Sequence, residues 1–333
     1  MTGFALKDLN YSQTLTDVGV AIMCDANAFV ANKIFPTVPV DITTPDYYEF
    51  TADYFLAAQS TPTAAKTKAP RTDIGVIKRA LSLEHHELAH DISYRTLANP
   101  RLADLARTAG AAIVTEGLLR GRENSLATKC FGDSSWSNLR TGVASSPSTN
   151  EFIKWSDLTA SNPISDIRAG QTAVQAKTGR RPNTAVLSRD VYDVLCDHPD
   201  FLERTKNGQT SGAAVVADPD MAKIFGLSNL YILDAVKNTA GEGLTATTDF
   251  MIKGYFLLTY VNPAPSIFQP SAGYNFSLSN YYDTTGAVEN ADTGLVIGQF
   301  DLPDNKVEVI EGQMCFELKV VAAALGCLFK ATI

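Results

Sequence analysis

The spacing of apolar and polar positions divides this chain into segments of distinct character, and the longest helical pattern covers residues 99–131. Asn99-Pro100 reads as its start. Asn accepts hydrogen bonds from first-turn amides, and Pro at the first helical position has no amide to leave unpaired. Leu102, Leu105, Ala109, Ile113 and Leu119 recur every three or four residues and predict the buried stripe, with Arg107, Arg120, Arg122 and Glu123 mostly off it. A continuous helix of about 28 residues would be roughly 40 Å long. Gly110, Gly117 and Gly121 each cost about 1 kcal/mol against Ala there, so packing must hold the helix straight or it bends at them.

Ahead of that helix, a short helix is predicted around residues 17–30. A proline-punctuated arm follows through Pro36, Pro39 and Pro45, extended and without a core of its own. Residues 47–55 alternate, with Tyr48, Phe50, Ala52 and Tyr54 on one side and Glu49, Thr51 and Asp53 on the other. The return segment 74–85 carries Val76, Ile77, Leu81 and Leu83. These are the two strands of a long hairpin whose small, polar tip, 57–71, contains Lys66 and Lys68. Two strands are marginal alone in water, so the hairpin needs a neighbouring body, its own or another copy's.

After the helix, the Ser/Gly/Asn-rich stretch 132–150 reads as a loop. Asn162-Pro163 repeats the helix-start device, and Ile164, Ile167, Gln171, Val174 and Thr178 mark one face until Gly179 ends it. Residues 184–188 form a short buried strand, with Ser188 placed to cap a helix that stops before Pro199. Residues 205–217 are small and polar, and 218–225 predict a short helix. Strands are expected within 230–233, 250–260 and 267–278. Further on, 306–310 alternates, Gly312 reads as a bulge, and Met314, Phe316, Leu318 and Val320 resume on one face. Residues 321–331, apolar on both sides, predict a central strand of an α/β body. The class is α+β.

Composition narrows the function. With 45% apolar residues, 333 residues allow two or three units with real cores. A net charge of −8 and a pI near 5.1 argue against direct duplex binding, which needs clustered Lys and Arg. The five cysteines are scattered and odd in number, with no CxxC pair, so a reducing, intracellular environment is expected. The first residues lack a basic stretch followed by an apolar one, so no secretion signal is expected. The longest apolar run, 320–329, falls well short of the roughly 20 residues that span a bilayer.

One catalytic-looking signature stands out. His86-Glu87-Leu88-Ala89-His90 matches HExxH, where two histidines one helical turn apart bind zinc and the glutamate polarises a water. Against it, the preceding residues alternate like a strand, Ser93 and Thr96 stand where a metzincin needs Gly and His, and a third ligand would have to be Glu116 within the long helix. A polar hinge is the preferred reading and a zinc-dependent metallopeptidase using His86, Glu87 and His90 the alternative; no catalytic residue, cofactor or metal ligand is assigned. Gly241-Glu242-Gly243 does not continue as GxGxxG, and no GxxxxGK[ST] segment exists. Arg180 and Arg181 follow a helix C-terminus, where cations offset the dipole.

The stretch 181–204, with its Arg181-Pro182 lead, buried strand, helix and His198-Pro199-Asp200 turn, resembles a segment common in major capsid proteins of tailed bacteriophages. The ending 307–331 is similar to that family's long peripheral-domain strand running into the last axial-domain strand. The resemblance implies the Hong Kong 97 type fold: an N-terminal arm (1–45), an extended loop (46–84), a peripheral domain with a spine helix (85–150 and 264–319) and an axial domain (151–263 and 320–333). It also implies self-assembly, through hexamers and pentamers, into an icosahedral shell. That shell would enclose DNA without sequence-specific binding, in a virion assembled in the host cytoplasm, with no membrane and no cofactor. No long helical region precedes the arm, so the resemblance implies a separate scaffolding protein or a self-guided assembly; a portal protein and a decoration protein are further expected partners. Subunit contacts are expected from Tyr48, Phe50, Tyr54, Lys66 and Lys68 on the hairpin, and from Asn207, Gly208, Gln209 and Ser211 around a ring axis. Cross-linked relatives use a Lys on the extended loop, a region comparable to that of Lys66 and Lys68, for which no Glu or Asn partner is identifiable. An encapsulin-like nanocompartment shell would share the fold.

Overall fold

The computed structural model describes residues 15–19, 29–55, 68, 71, 75–132, 134–205, 218–240, 245, 247–282, 287–289 and 294–333. The chain forms two compact units. One comprises Met1–Asp46, Ala80–Leu126 and Tyr274–Lys319, the other Tyr47–Arg79, Ala127–Gly273 and Val320–Ile333.

The first unit is built on the 14-residue strand Val307–Val320. Glu84–Ser93 and Leu295–Leu302 both run antiparallel to it, in continuous registers that include Gly312. Gly312 is therefore not a bulge, as the sequence pattern suggested; it lies opposite both Leu88 and Ile297. The arm strand Thr37–Val40 extends the sheet by pairing parallel to Gly273–Leu278. Central position explains why both faces of 314–318 are buried.

The long helix, Pro100–Cys130, packs on this sheet, and Asn99 Oδ1 accepts from the Arg101 amide at 3.2 Å as its start signal requires. Of the predicted stripe only Leu119 is on the helix's buried face, and Ala109 is exposed. Leu102, Leu105 and Ile113 are 45%, 65% and 53% exposed, whereas Ala103, Ala111, Val114, Leu118, Leu119 and Leu126 are buried. The reason is close approach. A Cβ at Gly312 would collide with Val114, and one at Gly117 with Leu88; glycine at both places lets helix and strands touch. Arg107 reaches Glu308 on the central strand through two hydrogen bonds of 2.7 and 2.8 Å. Arg122 and Glu123, expected off the stripe, are buried too. The Glu123 carboxylate accepts from the Val30 and Ala31 amides, so it caps the one-turn helix Ala31–Ile34 and fixes the arm. Burial pushes Glu123 up, against those two bonds, and pushes Arg122 down to about 10.

The second unit holds a six-stranded sheet in the order Glu151–Ile153, Asn138–Val143, Gly326–Lys330, Tyr255–Thr259, Thr184–Ser188, Asn229–Leu233. The expected central strand is Gly326–Lys330, parallel to Asn138–Val143 and antiparallel to Tyr255–Thr259. Asn138–Val143 corrects the loop reading of 132–150: its polar composition hides a strand. Helix Pro163–Thr178 starts with Asn162 Oδ1 accepting from the Ser165 amide at 3.0 Å and ends at Gly179 with φ +68°. Ser188 does not cap Arg189–Asp197. Its hydroxyl bonds to the Tyr255 backbone instead, and Asp190 accepts the Val191 amide. Phe152, Trp155, Phe201, Phe225, Phe256 and Phe329 form the aromatic core.

The hairpin differs from its predicted form. Asp46–Phe50 pairs with Val76–Ala80, but the first strand ends where Thr51 bonds twice to the Gly75 carbonyl, and Ala52–Phe55 forms one helical turn. The return segment also divides: a new strand, Glu84–Ser93, begins after Leu83. Of the helix predicted at 17–30, only 17–19 and 29–30 are described, and 17–19 belong to the helical stretch 15–19.

Candidate inter-subunit surfaces

In the second unit, the base of the hairpin forms an apolar cavity of about 340 Å³ lined by Tyr48, Phe50, Tyr54, Val76 and Phe268. Alternation puts Tyr48 and Phe50 on one side of the strand, and both line this cavity, but their roles diverge. Phe50 is buried, its amide donates to the Val321 carbonyl at 2.9 Å, and its ring packs edge-on against Tyr54 at 4.9 Å. It is an anchor of the hairpin rather than a free contact. Tyr48 and Tyr54 are half-buried. Phe268 faces Tyr48 with ring centroids 5.5 Å apart and remains 73% exposed. The sequence assigned Phe268 to a strand that instead begins at Gly273. Pro263, Pro265 and Pro270, which bracket Phe268, were the available signal for a turn. Arg79 and Glu49 form a 2.5 Å pair on the hairpin, worth little where both side chains are this exposed.

Lys68 is exposed. Lys66, Asn207, Gly208, Gln209 and Ser211, like Gly241 and Gly243, lie outside the described residues. In the first unit, Leu102, Leu105 and Ile113 give the long helix a second exposed apolar surface.

The zinc geometry is absent from the HExxH segment, which lies within the strand Glu84–Ser93. Residues four apart along a strand are separated by about 13 Å, too far for one metal ion. His86 stacks on Phe316 at 4.6 Å, and His85 Nε2 lies 3.6 Å from Cys315 Sγ. Burial pushes the Cys315 thiol up to about 11, which removes it as a thiolate at neutral pH. Among the described residues, no group of three His, Cys, Asp or Glu side chains could hold a metal.

Ser161, His198 and Asp200 come together but do not make a nucleophile. His198 Nδ1 accepts the Asp200 amide at 3.2 Å, so the ring proton is on Nε2, facing Ser161 Oγ at 3.0 Å. Ser161 Oγ in turn donates to the Asp157 carbonyl at 2.6 Å. A serine that accepts from histidine is not being deprotonated by it.

Residues 150–261 match the family described as Phage major capsid protein E. The chain is 26% identical over 211 residues to the major capsid protein of Burkholderia phage BcepMu; the match covers 62% of this chain and 64% of that protein, less than two thirds of either. A phage-related protein from Bordetella bronchiseptica RB50 superimposes with a TM-score of 0.74 at 16% identity, over 97% of this chain and 98% of the other. A virus-like particle protein from Pyrococcus furiosus does so with a TM-score of 0.55 at 9% identity, over 96% and 98%. The fold is therefore the Hong Kong 97 type capsid fold over nearly the whole chain, and the α/β unit carries the sequence match to phage major capsid protein E.

Proposed function

We propose that this protein is the major capsid protein of a tailed bacteriophage, a shell subunit that assembles with its own kind around DNA. The observation that carries this reading is the agreement of two independent likenesses: near-complete structural coverage by a phage-related protein, and sequence identity to a phage major capsid protein. Apolar surface left exposed on both units supports it, because a monomer with no partner gains nothing from presenting Phe268, Leu105 and Ile113 to water. The nanocompartment reading shares the fold; the sequence match to a phage protein favours the virion.

In this reading the first unit is the peripheral domain and the second carries the base of the extended loop and the axial domain. On the same reading residues 127–150, expected with the peripheral part, are assigned to the axial domain; the pairing of Asn138–Val143 in the six-stranded sheet supports that. Tyr48, Tyr54 and Phe268 make contacts at the loop base, Lys66 and Lys68 at its tip, and Asn207, Gly208, Gln209 and Ser211 around the ring axis. Hexamers and pentamers close the shell through heterologous contacts. Scaffolding, portal and decoration proteins are the further partners, and assembly takes place in the host cytoplasm. The net charge of −8 suits a container that does not adhere to its contents.

The test is electron microscopy with mass measurement of the purified full chain, alone and with a scaffold protein, across salt and crowding conditions. Closed particles of uniform mass are expected. A chain that stays monomeric in every condition overturns the reading.

A further inference from the structure

The exposed face of the long helix has an internal symmetry. Leu105 and Ile113 stand four residues either side of Ala109, itself exposed, and Leu102 and Glu116 stand seven either side. All five lie on one stripe, since steps of three, four and seven residues return to the same side of a helix. Two such helices packed antiparallel, crossing at Ala109, place Leu105 of each against Ile113 of the other. The small side chain at the crossing allows the close approach that helix packing at 8–10 Å requires. Leu88, 39% exposed and lodged against Gly117, continues the apolar surface one turn beyond Ile113.

Charge agrees with the same pairing. Arg101 occupies the first turn of the helix, where a cation opposes the dipole, and that turn contains no acidic residue. In the antiparallel arrangement Glu116 of the partner subunit falls opposite Leu102 and next to Arg101. Glu116 is held at 3.3 Å by Arg120 of its own helix, and Arg101 would be a second cation on that exposed carboxylate, with the reciprocal set at the other end. The cation at the helix start then gains the carboxylate it lacks within its own turn.

We propose that the Leu102, Leu105, Ala109 and Ile113 face is a two-fold contact between copies of this chain, closed at each end by Arg101 and Glu116. This rests on the shell reading and names one interface within it. The contact is isologous: one patch meets itself, in contrast to the heterologous contacts that close rings. It is small, so it is weak for one pair and effective when repeated around a shell.

The experiment uses the full chain with Ala109→Cys, oxidised and run on a non-reducing gel, with Arg120→Cys and the unaltered chain as references. Cross-linking through Ala109→Cys to a species of twice 35.8 kDa is expected. Cross-linking through Arg120→Cys is expected to stay at background, because position 120 does not meet itself. Adding Leu105→Glu to Ala109→Cys should cut the dimer by roughly tenfold or more, since a carboxylate would be buried against Ile113. Leu105 is exposed, so the thermal midpoint of that variant should match the parent's and exclude misfolding as the cause. Equal cross-linking at positions 109 and 120, or indifference to Leu105→Glu, overturns the contact. Microscopy of the same samples separates the two readings. Particles without the cross-link reject this contact and leave the shell standing, whereas cross-linked dimers that never form particles keep the contact and reject the shell.

Discussion

His198 turns the corner between two helices of the α/β unit with a neutral ring. It precedes Pro199–Thr205, and its Nδ1 accepts the Asp200 amide as an N-cap side chain would. Protonation would set an N–H against that amide and end the cap. Burial pushes the His198 pKa below its ordinary value, with the Asp200 carboxylate opposing in part. The sign follows from linkage: the unfolded chain takes up the proton first. The stability contributed by neutral His198 is therefore complete above about pH 6.5 and is lost as pH falls from there through the lower folded value. His198→Asn keeps a cap acceptor that does not titrate in this range. Its thermal midpoint should fall less between pH 7.5 and 5.5 than that of the unaltered chain; parallel falls in both would show that His198 does not govern the acid response.

The long helix shows how an element can be legible in its ends and illegible in its face. Gly312 is expected to be intolerant of any larger residue, because the helix lies directly over it at Val114 and Leu118. Gly312→Val should destabilise the first unit by about 1–3 kcal/mol, the usual cost of overpacking, whereas Gly121→Ala, with open space around it, should be neutral or slightly stabilising. Denaturant titration of both variants checks this; equal effects would refute the close-approach argument. Helix starts at Asn99 and Asn162 and the stop at Gly179 were readable because capping is local chemistry. The buried face was not, because close packing selects Ala103, Ala111 and Gly110 over larger residues, and Arg122 and Glu123 are buried for their partners rather than for their apolar area. Leucine spacing pointed mostly to the side that stays exposed, at Leu102, Leu105 and Ile113, and met the buried face only at Leu119. The same limit applies to the hairpin cavity: alternation revealed Tyr48 and Phe50, but Phe268 comes to it from far along the chain, and no local pattern reports such an approach.

At the scale of the whole molecule, the proposed shell role divides the aromatic residues between those that fold the chain and those that would join it to others, and exposure tells the two apart. Phe50 and Phe268 line the same cavity, yet Phe50 is 4% exposed and Phe268 73%. Phe50→Ala removes a core side chain and should cost about 3–5 kcal/mol of stability, lowering the yield of folded chain before assembly begins. Phe268→Ser removes a side chain that buries little in the isolated chain, so its stability should stay within about 0.5 kcal/mol of the parent. If the cavity receives a neighbouring copy, the loss should appear only on assembly, as fewer closed particles at equal concentration of folded protein. Light scattering of assembly reactions, started from chains matched in circular dichroism, measures the difference. Particle yield from Phe268→Ser equal to the parent's would mean that the cavity is merely a crease in the surface, and would move the subunit contact away from the hairpin base to the other exposed apolar face, on the long helix.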